Sequence, residues 1–219
     1  MAALKKGDFV TVSYTGRLPN TEVVFDTTDA AIAKKAGIFS DKKTYAAPTV
    51  CIGEFQILEG IDAGLVGKNE NSTFKVELSA ENAFGKRKPE LIKFISFNKF
   101  QSDRINPFPG LQVVVDGQIG VVKSVTGGRV MVDFNHPLSG KDVEYDVHVG
   151  TKVTDTDKQL QALVSLQFKG GEATLAQNKA TITLPLQMPK EHAAVFEAQI
   201  KRMIPAIQSV TFAVKAPAK

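Results

Sequence analysis

Val12–Gly16 reads VSYTG, Val24–Asp26 reads VFD and Tyr145–Val147 reads YDV. A phenol, an adjacent aromatic–carboxylate pair and a second phenol beside a carboxylate thus stand on short, β-branched segments. Between them in sequence lie Gly60–Gly67, GIDAGLVG, and Ala83–Gly85, AFG. Residues of these types are aromatic and apolar with few reactive groups among them; they do not assemble a nucleophile with its base. Other reactive signatures are missing from the chain: there is no GxSxG, no Walker loop and no GxGxxG. His136, His148 and His192 are far apart, with no cysteine or carboxylate at ligand spacing, so neither a metal site nor a cofactor is expected. What remains is a binding protein, or an enzyme that works without a nucleophile.

Composition narrows the partners. The 27 basic and 23 acidic residues leave a net charge of +4, too small and too evenly spread to predict nucleic-acid binding. The basic run Lys86-Arg87-Lys88 reads as a solvated loop. A single cysteine, Cys51, rules out an intramolecular disulfide, and its place in the apolar run Thr49–Ile52 suggests a buried, inert thiol. No stretch approaches the ~18 apolar residues of a membrane span. The N-terminal MAALKKGDF has no apolar stretch after its lysines, so no secretory signal is expected. These features predict a cytoplasmic protein with no membrane partner.

The pocket-forming segments need strands to hold them. Residues 8–15, DFVTVSYT, alternate apolar and polar, and Glu22–Asp26 follows after a Leu18–Thr21 turn. Asp29–Gly37 predicts a short helix with Asp29 as its cap and Gly37 as its stop. Glu59–Leu65 has Ile61, Gly64 and Leu65 at helical spacing, and Ser72–Leu78 alternates with Phe74, Val76 and Leu78 on one face. Leu111–Val115, Gln118–Val125 and Arg129–Phe134 form a predicted meander, with Asp116-Gly117 as a type I′ hairpin signal. Lys141–Val149 is a long half-buried strand. Beyond Gly150, helices are predicted over Asp155–Leu166 and from Pro189, the latter with a stripe of Phe196, Ile200, Met203 and Ile204. A hairpin surrounds Gln177-Asn178-Lys179, and Ile207–Val214 reads as a last strand. The tail Lys215–Lys219 is expected to be frayed. A unit of some ~70 residues is near the small end of what folds alone, so its stripe and last strand are candidates for docking or homodimer formation, although for the stripe an intradomain core is the favoured reading.

Taken singly, Tyr14, Phe25 and Tyr145 are ordinary core aromatics, and Asp26 an ordinary turn cap. Their order carries more weight. Val12–Gly16, Phe25-Asp26, Ile57-Leu58-Glu59-Gly60-Ile61, Ala83-Phe84-Gly85 and Tyr145-Asp146-Val147 resemble, in sequence, the motifs of the FKBP-type peptidyl-prolyl isomerases. The match covers roughly residues 5–85 and 135–150. Ile61 stands where many members have a tryptophan, Phe84 where they have a tyrosine, and Tyr145 where they have a phenylalanine. The chain further resembles the SlyD-like and long archaeal members, which place a β-rich domain between the AYG-type loop and a return that here reads NHPLSG, Asn135–Gly140.

The resemblance implies an α+β fold: an FKBP-like antiparallel β-sheet wrapped on a short helix, with an inserted small β domain and a C-terminal α/β domain. The implied division is 1–91 with 134–150 for the isomerase domain, 92–133 for an insert that binds unfolded chains through exposed apolar residues of Ile92–Phe100 and Pro107–Val115, and 151–219 for the extension. Tyr14, Phe25, Asp26, Ile57, Leu58, Ile61, Phe84, Leu138 and Tyr145 are the implied pocket residues. The implied activity is proline isomerisation in unfolded or partly folded polypeptides. Macrolide inhibitor binding is implied too, weakened by the missing phenol at Phe84. The second reading left open is a holdase on the same scaffold with a degraded site.

Overall fold

Strand β1 (Phe9–Arg17) reaches along most of one sheet. Its length lets two short strands share one of its edges. β2 (Val24–Thr27) pairs with its C-terminal part, Thr15 opposite Thr27 and Gly16 opposite Asp26. β3 (Thr49–Cys51) pairs with its N-terminal part, Phe9 opposite Cys51. Between the two ladders the backbone of β1 still needs partners, since a buried N–H or C=O left unpaired is costly. Thr28 supplies them: its N–H donates to Tyr14 O at 3.0 Å, and its hydroxyl accepts from Tyr14 N at 3.0 Å. Pro48 O then accepts from Val12 N at 2.9 Å. The intervening chain is thereby held out as a bulge. It contains α1 (Ala30–Lys35), whose cap Asp29 accepts from the N–H groups of Ala31 and Ile32.

The other edge of β1 pairs antiparallel with β9 (Val143–Lys152), Tyr14 opposite Val147 and Gly16 opposite Tyr145. β4 (Thr73–Leu78) completes the order β2-β1-β9-β4, with β3 beside β1. Helix α2 (Glu59–Leu65) turns Ile61, Asp62 and Leu65 inward. The expected α+β architecture, an antiparallel sheet with a short helix, is the one observed.

The computed structural model describes residues 3–215 and divides into two compact units. One joins the residues up to Glu77 to those from Val143 onward; the other is Leu78–Asp142. In the second unit, β5 (Ile92–Ser96), β6 (Gln112–Val115), β7 (Gln118–Thr126) and β8 (Arg129–Asp133) form a sheet in the order β5-β8-β7-β6. Helix α3 (Phe97–Ser102) packs Phe100 against Val113, Val115, Val122, Val130 and Val132. Asp116 and Gly117 both take positive φ, 51° and 76°, as a type I′ turn requires. Two limbs close the base of this unit. Gly140 N donates to Gly85 O at 2.9 Å, and Asn135 bonds both the N–H and the C=O of Lys88.

The C-terminal residues of the first unit form α4 (Thr156–Gln167), β10 (Glu172–Ala176), β11 (Lys179–Leu184), α5 (Lys190–Met203) and β12 (Ser209–Val214). The sheet order is β10-β11-β12, with β12 parallel to β11. Phe196, Ile200 and Ile204 are buried as one stripe, and their cluster includes Leu160, Leu163 and Val164 together with Phe9 of β1 and Cys51 of β3. The apolar stripe is therefore spent on a core shared with the first strands of the chain, not left for docking. The Lys215 N–H donates to Leu184 O at 2.8 Å, so the frayed tail does not begin there; its remainder, 216–219, lies outside the described residues. Among the described residues no helix is long and apolar enough to cross a membrane.

Burial pushes the Cys51 thiol up to about 12, helped by the charges of Glu54 and Asp62. A thiol reagent should thus reach Cys51 only when the shared core opens. Leu160→Ala should cost about 2–5 kcal/mol in denaturant unfolding and should speed Cys51 labelling in proportion. Unchanged labelling in a destabilised variant would show that this core is not shared.

Candidate functional site

Gly16 stands at the centre of the site. A Cβ there would lie 2.7 Å from Phe25 Cζ and 2.7 Å from Tyr145 Cε1, so only glycine lets both rings close over the strand. Phe25 meets Tyr145 edge-on, centroids 5.6 Å apart and planes at 90°; Tyr14 meets it at 5.8 Å and 74°. Edge-to-face contacts of this kind add about 0.5–1.5 kcal/mol each beyond area burial. β1 positions Tyr14, β2 positions Phe25 and Asp26, and β9 positions Tyr145. The register Gly16 opposite both Asp26 and Tyr145 brings them to one place.

The phenol of Tyr14 is pushed up to about 12 by burial, then by the charge of Asp26 and the hydrogen bond to it. Burial, followed by the charge of Asp26, raises Tyr145 as well. Both phenols are neutral at physiological pH. The Asp26 carboxylate also pairs with the ammonium of Lys43, which lies over the Tyr45 ring at 5.5 Å. Lys43 was not expected from sequence: it sits in the bulge, where no periodicity marks it. The site therefore offers aromatic edges and a neutral hydroxyl beside a neutralised carboxylate, with no nucleophile next to a base.

Ile57 and Leu58 precede α2, and Leu58 is its N-cap, accepting from Ile61 N and Asp62 N. Their approach is set by a buried carboxylate. Asp62 accepts from Gly53 N at 3.0 and 2.9 Å and from Phe55 N at 3.4 Å. Phe55 has φ of 53°, a strained value for a bulky residue, and is 65 % exposed. The C-terminal helix braces the same loop: Arg202 pairs with Glu54, and Gln56, whose side-chain oxygen accepts from Cys51 N at 2.7 Å, touches Met203. The signal for Asp62 in the sequence was a carboxylate beside Ile61 on a helix face otherwise apolar. Of the remaining expected residues, Ile61 is buried in α2, whereas Phe84 and Leu138 belong to the second unit. There Phe84 stacks on His136, centroids 4.8 Å apart and planes within 4°. His136 Nδ1 accepts from Leu138 N at 3.2 Å, and Ser139 bonds Phe84 O at 3.2 Å. Among the described residues no group of three or more His, Cys, Asp or Glu could hold a metal ion.

Comparison with known proteins decides the family. Residues 2–96 match the profile of the FKBP-type peptidyl-prolyl cis-trans isomerases, and residues 93–138 match one described as the FKBP26 IF domain. The chain is 30% identical over 145 residues to the probable FKBP-type 16 kDa peptidyl-prolyl cis-trans isomerase of Pseudomonas fluorescens, covering 64% of this chain and 85% of that protein. The chain belongs to the FKBP-type peptidyl-prolyl cis-trans isomerases. It is also similar to the short-type isomerase of Methanocaldococcus jannaschii, at 27% over 146 residues, covering 67% of this chain and 92% of the relative. Against the SlyD isomerase of Vibrio cholerae it is 29% identical over 119 residues, covering 52% and 58%. The FKBP-type profile spans β1 through β4, the strands and helix that carry Tyr14, Phe25, Asp26 and Ile61.

Two outcomes follow from this geometry. Gly16→Ala should force the rings of Phe25 and Tyr145 apart, cost about 1–3 kcal/mol in stability and lower kcat/KM on a proline peptide by roughly 100-fold. Full activity in a folded Gly16→Ala protein would exclude these rings from the pocket. Second, folding favours the protonated Tyr14 phenol. That contribution is whole below the ordinary value of 10.0 and is lost as pH rises towards about 12. A tyrosinate absorbance titration should show two late phenols, Tyr14 and Tyr145, and Asp26→Asn should bring both earlier.

Proposed function

We propose that this FKBP-type chain isomerises X–Pro bonds in unfolded or partly folded polypeptides, and that Leu78–Asp142 holds the client while it does so. The barrier to rotation, about 18–20 kcal/mol, comes from amide resonance. Twisting the bond localises the nitrogen lone pair and leaves a less dipolar amide. An apolar pocket accepts that twisted state more readily than the planar one, so the catalysis needs no proton transfer and no covalent bond. The observation that carries this reading is the meeting of Tyr14, Phe25 and Tyr145 around Gly16, with a neutral phenol and no activated nucleophile. Ile57, Leu58, Ile61, Phe84 and Leu138 complete the proposed pocket. Asp26 orients the Tyr14 phenol and is not a base. Asp26→Asn should therefore reduce kcat/KM only a few-fold, well short of the roughly 100-fold or more that loss of a proton-transfer group costs. A complete loss in a folded protein would point to proton chemistry.

The client-holding role rests on surface chemistry. Phe94, Phe108, Val114 and Ile119 are 57–68% exposed in the second unit, large apolar side chains that an unfolded client could cover. Phe100, Val113 and Val115, which lie in the segments expected to supply that surface, are instead core residues. Binding there would raise the local concentration of the client's prolines at the pocket to the ~mM range. Residues 92–133 carry their own hairpins and core, so we propose that they can be replaced by a short loop. Activity on a tetrapeptide in a protease-free assay should then survive, while acceleration of a proline-limited refolding reaction falls far more. Equal losses in the two assays would overturn the division of labour. A wild-type chain that binds unfolded protein but leaves the tetrapeptide rate unchanged would be the holdase.

A further inference from the structure

A groove of about 980 Å³ shares two residues with the site, Tyr14 and Lys43. One wall is the end of the bulge, through Ala46, Ala47 and Pro48 to Thr49 of β3. The opposite wall is one side of α4, where Gln161, Ala162 and Ser165 line it, together with Gly171–Thr174 at the head of β10. The groove is at the upper end of the ~300–1,000 Å³ that holds a whole small-molecule ligand, much more than a prolyl ring requires.

The chemistry of the walls favours a main chain over a particular side chain. Alanines on both sides let a backbone come close, and hydroxyl and amide groups stand between them, able to donate to any carbonyl or accept from any N–H. Among the described residues β10 is the edge strand of its sheet and pairs only with β11. Alternate residues of an antiparallel edge strand turn N–H and C=O away from their one partner, which makes such an edge a template for an added strand. Both walls present runs of consecutive residues to the groove, Ala46–Thr49 on one side and Gly171–Thr174 on the other.

We propose that this groove holds, in extended form, the stretch of substrate polypeptide flanking the prolyl bond, so that the C-terminal α/β region extends the substrate site. This rests on the isomerase reading above. The groove discriminates by length and extendedness, not by side-chain identity, which suits an enzyme whose substrates are unfolded chains of many sequences. At ~3.3 Å per residue, a flanking segment a few residues long reaches along α4.

The test compares wild type with Ala162→Arg and Ser165→Trp, two different fillings of the groove on the surface of α4 and away from the pocket. Substrates are a proline tetrapeptide and peptides of about twelve residues, extended on either side of the same X–Pro bond. Wild type should show about tenfold higher kcat/KM on one of the extended peptides than on the tetrapeptide. Both variants should lose that advantage while keeping the tetrapeptide rate and the wild-type unfolding midpoint. No advantage in wild type, or an advantage that survives both variants, overturns the proposal. Self-association of wild type that the variants abolish, seen by sedimentation, overturns it too, because the occupant is then a second copy. If wild type fails to turn over any peptide, the isomerase reading fails by itself. Fluorescence anisotropy of the labelled extended peptides then decides the groove: tighter binding to wild type than to both variants supports it, equal binding overturns it.

Discussion

The ladder between β1 and β9 is the constraint on which the rest depends. It joins strands at opposite ends of a long stretch of chain: Arg17 and Asp146, which form an ion pair across it, are 129 positions apart in sequence. Closing a loop of that size costs entropy before any contact offsets it. The return comes from the number of things the ladder sets at once. It places Tyr145 over Gly16 and its flanking rings, and it buries Val10, Val12, Val147 and Val149. A one-residue slip would turn Tyr14 and Gly16 to the opposite face and empty the pocket of its walls.

The bulge and the C-terminal region then add to that frame from two directions. Thr28 and Pro48 complete the hydrogen bonds of β1 where no strand covers it, and this frees the intervening chain to bring Lys43 to Asp26. The exposed ion pair contributes little to stability; its weight is in holding the carboxylate's charge balanced beside a buried phenol. From the other direction, α4 and α5 close over Phe9 and Cys51 while Arg202 and Met203 reach the loop ahead of Ile57. Asp62 anchors that loop from inside.

What could be read from the sequence was whatever local chemistry dictates. Asp116-Gly117 announced its turn because type I′ geometry needs positive φ at both positions, and Asp29 announced α1 because its carboxylate fits the free N–H groups of a first turn. The ordered motifs placed Tyr14, Phe25, Asp26 and Tyr145 on strands whose pairing only the folded chain reveals. Other features had no local mark. Lys43 is one lysine among several in an aperiodic loop. The stripe Phe196, Ile200, Ile204 states that it will be buried, but an apolar face does not say against what, and here the partners include residues of β1 and β3. Phe100, Val113 and Val115 lie in segments expected to supply an exposed apolar surface and are core instead, because strand alternation alone cannot say which face a neighbouring helix will cover.

The separation of β1 from β9 also has a consequence for the order of events during synthesis. As the chain emerges from a ribosome, the second unit, whose sheet and core use only nearby residues, can close before β9 has left the ribosome. The aromatic pocket cannot exist at that stage, for one of its walls, Tyr145, has not yet emerged. Nor can the cover over Phe9 and Cys51, which waits for the last strands. The exposed apolar side chains of the second unit, Phe94 and Phe108 among them, would therefore reach solvent on the nascent chain before the pocket closes.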